Sequence, residues 1–380
     1  MRHRSRVMFF MAVVVMMNIG ANDCQNNQAP VPSPLPQPLM TMLAGNDMEV
    51  RGNDCPVTST FVEASWNGGP WIYVGSCTLG EYEGFLPPQG AGHGILAIRD
   101  NTGQILRTTL SVGWGLPIEI TGQSNATGLM ETLINAISSL ASVFMVGHQN
   151  EAESIKHADD RFTDHGNGSA WPLLADEIIG QTGLPVMFIS SPVGATSVSQ
   201  WVPGGNLRER AKDLRMTATN DCSAADIFYQ GENEPVFASN PTIDPETGLT
   251  FGELWLASIG GDLKQYYKGE LFKIADDHMN AGCGGTPLVI VQIGDNTANQ
   301  NPGIQGFIQE VRDAQYEAAI EHPNIHLGAC TAGLPVPDGL HLGDDAREEF
   351  VSRLMKGLAP VLWGGPVPTD EELGCTPPQV

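Results

Sequence analysis

Positive charge is scarce in this chain. Only 19 lysines and arginines stand against 43 acids, for a formal net charge of −24, and charged residues make up 16% of the 380 positions. With no basic stripe to meet a phosphate backbone, nucleic-acid binding is excluded as the main function, because phosphate contacts supply most of that affinity. An anionic membrane surface is disfavoured for the same reason. No CxxC pair occurs, against a zinc ribbon or a thioredoxin-like site, and no HExxH, against that class of zinc hydrolase. No serine has glycines two residues before and after it, so the nucleophile elbow of the α/β-hydrolases is missing. Internal repeats are absent as well. What is abundant is apolar residue (41%), glycine (44) and proline (27), the composition of an ordered, loop-rich globular protein.

The first residues read as an export signal. Arg2, Arg4 and Arg6 form a positive start, and Val7 to Met17 is an apolar run too short to span a bilayer, which takes roughly 20 residues. Cleavage after Gly20 or Ala21 fits the small-residue rule, giving a signal over 1–21 and a secreted, periplasmic or cell-surface protein. No membrane insertion is expected after its removal, although an uncleaved anchor is the alternative. Cys24 raises the option of a lipid anchor, against which Asp23 is a poor processing neighbour. Export permits disulfides. Cys55, Cys77, Cys222, Cys283, Cys330 and Cys375 leave the connectivity open, and the favoured set is Cys55–Cys77, Cys222–Cys283 and Cys330–Cys375. For the middle pair there is a physical reason: each cysteine lies just before an apolar run, and neighbouring parallel strands begin side by side.

Residues 22–44 read as a proline-rich linker. Residues 45–115 read as a small all-β module, with WIYVGSCT, HGILAIRD and QILRTTLSV as strands and Asp100-Asn101-Thr102-Gly103 as a hairpin turn. Trp66, Trp71 and Tyr73 are either its core or rings for stacking sugars. From 116 to 364 strands alternate with helices. PIEITGQS, LPVMFISS, DIFYQGE, TPLVIVQIG and NIHLGACT read as strands, TGLMETLINAISSLASVF as a helix by its apolar spacing, and FGELWLASIGGDLKQYYKGELFKIADDHM as one long helix or two. GDDAREEFVSRLMKGLAPVLW reads as the last helix, leaving 365–380 as a tail. Continuous apolar strands between amphipathic helices make the fold class α/β, with a parallel central sheet covered on both faces. In such sheets function gathers at the carboxyl ends of the strands.

Those ends carry Gly122-Gln123-Ser124-Asn125, then Pro192-Val193-Gly194-Ala195, then Gln230-Gly231-Glu232, and finally Asp338-Gly339-Leu340-His341 before the last helix. This is the inventory of acyl transfer. Serine is a weak nucleophile without a base. His341 is the candidate base, and Asp338 the group that fixes its tautomer and steadies the imidazolium. For the developing oxyanion, the candidate donors are the Ser124 and Gly194 backbone N–H groups and the Gln230 side-chain amide. Gln123, Asn125 and Glu232 are expected to support them, Glu232 by holding loops through hydrogen bonds. The pattern calls for no cofactor and no metal.

Taken in this order, GQSN, PVGATSVSQW, FYQGENEP and DGLHL resemble the sialate O-acetylesterase-type branch of the SGNH hydrolase superfamily, which includes carbohydrate acetylesterases such as acetylxylan esterases. The resemblance covers about residues 117–360. It implies a three-layer α/β/α flavodoxin-like domain and a metal-independent serine esterase, with Ser124, Asp338 and His341 as catalytic residues and Gly194 and Gln230 in the oxyanion hole. The chain departs from the family pattern at Val193, Phe228 and Asn233, which blurs the substrate more than the chemistry.

The expected activity is removal of O-acetyl groups from carbohydrates through an acetyl-enzyme. Two alternatives stand beside it: an SGNH esterase or lipase acting on another ester, and a non-catalytic glycan-binding surface protein. His148, His157 and His165, among Glu151, Glu153, Asp159, Asp160 and Asp164, read as a solvated loop in preference to a metal site. Asp344, Asp345, Glu348 and Glu349 suit the start of the last helix, where acids complement the helix dipole.

Overall fold

The computed structural model describes residues 39–145, 154–157 (backbone only), 168–295 and 303–377. The expected signal, Cys24, most of the linker, and the side chains of His148, His157 and His165 lie outside the described residues.

Seven strands open the described chain: β1 (Thr41–Leu43), β2 (Met48–Gly52), β3 (Phe61–Trp66), β4 (Ile72–Thr78), β5 (Glu81–Leu86), β6 (Gly92–Asp100) and β7 (Ile105–Gly122). Their alternating inward residues, among them Val50, Val62, Ala64, Tyr82, Leu96, Ile98 and Trp114, form a small core of their own. Trp66 joins it, edge-on to Trp114 with ring centroids 5.5 Å apart. Tyr73 instead faces outward, and the Arg99 guanidinium lies over the Trp71 ring at 4.2 Å. Asp100 builds the expected hairpin turn by accepting from Thr102 N–H and Gln104 N–H.

The expected division between 115 and 116 falls inside β7. This strand pairs antiparallel with β6 as far as Trp114, then runs parallel to its neighbours from Leu116 onward. The parallel strands are β8 (Ala141–Met145), β10 (Val186–Ser190), β11 (Ala225–Tyr229), β12 (Leu288–Gln292) and β13 (Ile325–Cys330), in the spatial order β8-β10-β7-β11-β12-β13. A further strand, β9 (Ser154–His157), pairs antiparallel with β8. Every residue of β8, β10, β11 and β12 is buried, as continuous apolar runs demand.

The helices are α1 (Ser124–Thr127), α2 (Trp171–Thr182), α3 (Asn206–Thr219), α4 (Asn233–Ala238), α5 (Phe251–Ser258), α6 (Leu263–Met279), α7 (Ile304–Glu321), α8 (Arg347–Leu362) and α9 (Asp370–Leu373). Two of them, α2 and α3, lie against opposite faces of β10. Phe188 meets Trp171 of α2, whereas Met187 and Ile189 pack with Leu214 and Ala218 of α3. On the α3 side the buried interior is polar: Arg215 pairs with Glu119 at 2.9 Å, and His278 Nε2 lies 2.9 Å from Asp226 Oδ2.

Three expectations need correction. The helix expected over 127–144 does not form: α1 ends at Thr127, Gly128 turns left-handed at φ +77°, and the segment ends in strand β8. The linker's last residues form β1. The 365–380 segment is tied back through α9 and a disulfide. The three disulfides, Cys55–Cys77, Cys222–Cys283 and Cys330–Cys375, are those favoured from the sequence. Asp226 of β11 pairs with Leu288 of β12, so the loops leading into both strands bring Cys222 and Cys283 together. Three disulfides point to an oxidising compartment, extracellular or periplasmic.

Candidate active site

β7 ends at Gly122, whose φ is +118°. A Cβ there would run into the Tyr229 carbonyl oxygen, so only glycine lets the chain pass β11 this closely. Gln123 N–H donates to that same carbonyl at 2.9 Å. The chain then turns into α1, and Ser124 is its first residue. The loop between β13 and α8 brings the two partners. Ser124 Oγ donates to His341 Nε2 at 3.0 Å, and His341 Nδ1 donates to Asp338 Oδ2 at 2.6 Å. The second carboxylate oxygen of Asp338 accepts Leu340 N–H at 2.9 Å and His341 N–H at 2.7 Å. Burial pushes the Asp338 carboxyl upward, but these N–H groups and the imidazole outweigh it and hold the group below the usual carboxylate range.

Asn125 fastens this loop to the serine turn. Its Nδ2 donates to Glu232 Oε1 at 2.7 Å and to Leu340 O at 3.3 Å, while its Oδ1 accepts Leu342 N–H at 3.1 Å. Glu232 is buried, and its Oε2 has no hydrogen-bond partner among the described residues. Burial raises its pKa, against which the Asn125 bond works.

The loop after β10 lies alongside, because Val193 N–H donates to Gly122 O at 2.9 Å. The backbone N–H groups of Ser124 and Gly194 have no acceptor among the described residues, so both are free to meet an oxyanion. Gln230 is different: the sequence reading expects its side-chain amide to donate to the oxyanion, but its N–H bonds are already engaged. The side chain is wholly buried, and its Nε2 already faces Glu234 Oε2 at 2.8 Å, Thr196 O at 3.1 Å and Gln123 Oε1 at 3.4 Å. Two N–H bonds cannot serve these acceptors and a substrate as well. Gln123 is therefore seen as part of this buried contact, not of the reacting surface.

Sequence reasoning missed Glu234, Tyr267 and Gln315. Tyr267 Oη donates to Gln230 Oε1 at 2.7 Å, and Gln315 Nε2 donates to Gln230 O at 2.9 Å. The one available signal was Gln315, a polar side chain on an otherwise apolar helix face. Beside the His341 loop lies an open cleft of about 520 Å³, bordered by Glu131, Pro335, Pro337, Asp344 and Asp345.

No sequence-family profile matches this chain, and no curated protein does. Solved structures do. A carbohydrate acetylesterase from Xanthomonas citri aligns with a TM-score of 0.57 at 18% identity, covering 88% of this chain and 76% of that one. A protein from Arabidopsis thaliana aligns at 0.45 and 16%, covering 65% and 99%. An extracellular lipase from Streptomyces rimosus aligns at 0.36 and 13%, covering 65% and 98%. At such identities the Xanthomonas citri likeness is one of fold: a mixed α/β fold that spans most of this chain.

Proposed function

We propose that this protein is a serine esterase of the SGNH type that removes O-acetyl groups from carbohydrates. The observation that carries the reading is the unbroken relay Ser124 Oγ to His341 Nε2 and His341 Nδ1 to Asp338. Ser124 Oγ attacks the acetyl carbonyl carbon as His341 Nε2 takes the hydroxyl proton. The oxyanion that forms is met by the Ser124 and Gly194 N–H groups, a contribution of about 10²–10³ in rate per donor. The bond to the sugar oxygen breaks, and that oxygen takes the proton from His341, leaving an acetyl ester on Ser124. Water then attacks the ester, gives its proton to Nε2, and acetate leaves as Ser124 Oγ is reprotonated.

The acetyl and carbohydrate parts of the reading rest on the sequence motifs and on what the Xanthomonas citri protein acts on. Acetate release across acetylated xylan, pectin, sialosides and bacterial polysaccharides, beside a series of p-nitrophenyl esters, tests them. Release from at least one glycan is expected, with kcat/KM falling about tenfold or more from acetyl to hexanoyl. A preference for the longer acyl chains, with no release from any glycan, would instead assign the site to a non-carbohydrate ester.

A further inference from the structure

The Gln230 amide lies under the loop that presents Gly194. Its N–H bonds meet two oxygens, Thr196 O and Glu234 Oε2, and its own oxygen takes the Tyr267 hydroxyl. The reverse orientation would set the amide oxygen against two acceptors, so the surroundings fix which way the amide faces. Glu234 is wholly buried, and its other oxygen accepts Val198 N–H at 2.6 Å. Thr196 and Val198 both belong to the loop that follows Gly194. One carboxylate thus grips that loop twice, directly at Val198 and through Gln230 at Thr196. Asn233 Nδ2 adds a second donor on Thr196 O at 3.1 Å.

Resting on the esterase reading above, we propose that Glu234 is a positioning residue: its carboxylate, through Val198 N–H and the Gln230 amide, fixes the loop whose Gly194 N–H meets the oxyanion, without itself touching substrate. Gln230 is a strut in the same device. The geometry needs a carboxylate that only accepts. A group that must donate toward Gln230 turns the amide over or loses it, and in either case Thr196 O keeps Asn233 alone. Burial lifts the Glu234 pKa to about 7, and Glu232, Tyr266 and Tyr267 face it, so the acceptor form is dominant only above neutrality.

Glu234→Gln keeps the shape and removes the acceptor. At pH 8 on p-nitrophenyl acetate, kcat is expected to fall about 10- to 100-fold with KM changed by less than about threefold, since the loss is one of alignment. The double variant Gln230→Ala/Glu234→Gln should be no worse than its weaker member, because both act through one contact. Should Glu234→Gln fail to fold, Asn233→Ala removes the other donor on Thr196 and should lower kcat about threefold or more at unchanged KM. Trp201 supplies a readout free of turnover: its Nε1 donates to Thr196 Oγ1 at 3.2 Å, so its emission, taken as a difference from Trp201→Phe, should shift in Glu234→Gln. If wild type shows no turnover that Ser124→Ala abolishes, the esterase reading fails while the Trp201 shift still decides the loop's attachment. An unmoved Trp201 emission, kcat within about twofold of wild type, or losses that multiply in the double variant would overturn the proposal.

Discussion

Water reaches Asp338. Its side chain is 55% exposed, while the His341 side chain it orients is 20% exposed. A carboxylate open to solvent stabilises an imidazolium less than one buried in a low dielectric, but it still fixes the ring through Nδ1. Asp338→Asn is therefore expected to lower kcat about 10- to 100-fold, well short of the ~10⁴ typical of a buried triad aspartate. Steady-state kinetics beside His341→Ala check this, and an equal loss in both variants would count against it. That Ser124, Asp338 and His341 come together was legible because each follows an apolar strand and each residue type suits a defined chemical task. The work of Gln230 was not. Its partners Thr196, Tyr267 and Gln315 come from three separate elements, and nothing local to the Gln-Gly-Glu motif says whether the amide faces outward or into the protein.

Elements with continuous apolar runs, β10 to β12, were readable because a strand buried on both faces lacks the apolar/polar alternation of a half-exposed one. The segment 127–144 misled because its apolar residues recur at helical spacing, yet tertiary contacts take its N–H groups. Asp176 of α2 accepts Ile137 N–H at 2.7 Å and Ser138 N–H at 2.8 Å, and Asp344 accepts Thr132 N–H at 3.1 Å. Ile137 ends up 94% exposed, as no core helix would leave it. Asp176→Ala should cost about 1–3 kcal/mol, the price of two backbone donors without their charged acceptor, and urea unfolding would measure it. A change below about 0.5 kcal/mol would mean that water replaces the carboxylate at no cost. The continuity of β7 was likewise hidden. Its GWGLP stretch reads as punctuation, but a Cβ at position 115 would strike the Pro185 carbonyl, so that glycine is there for close approach and not for a turn.

Across the whole molecule, buried groups outside the serine relay make stability depend on pH. Burial holds His278 well below the ordinary imidazole pKa, and Arg208 and Arg215 act in the same direction, against Glu119 and Asp277. The unfolded chain takes up that proton below about pH 6.5 and the fold resists it, so this stability is complete above that value and drains as the pH falls. Glu234 runs the other way. Its folded pKa is raised to about 7, so its contribution is full below the unfolded value near 4.5 and is lost as the pH rises through 7. His278→Gln should therefore gain Tm relative to wild type on going from pH 7 to pH 5. A constant offset between the two would show that His278 does not change protonation between the folded and unfolded chains.

The meeting of Ser124 with His341 is the claim beneath all the chemistry, and acetylation of the protein reports it directly. Turnover of p-nitrophenyl acetate quenched in acid, followed by peptide mass mapping, should find an acetyl group on Ser124 in wild type and none there in His341→Ala. Turnover with Ser124 unmodified, or undiminished in Ser124→Ala, would contradict the account.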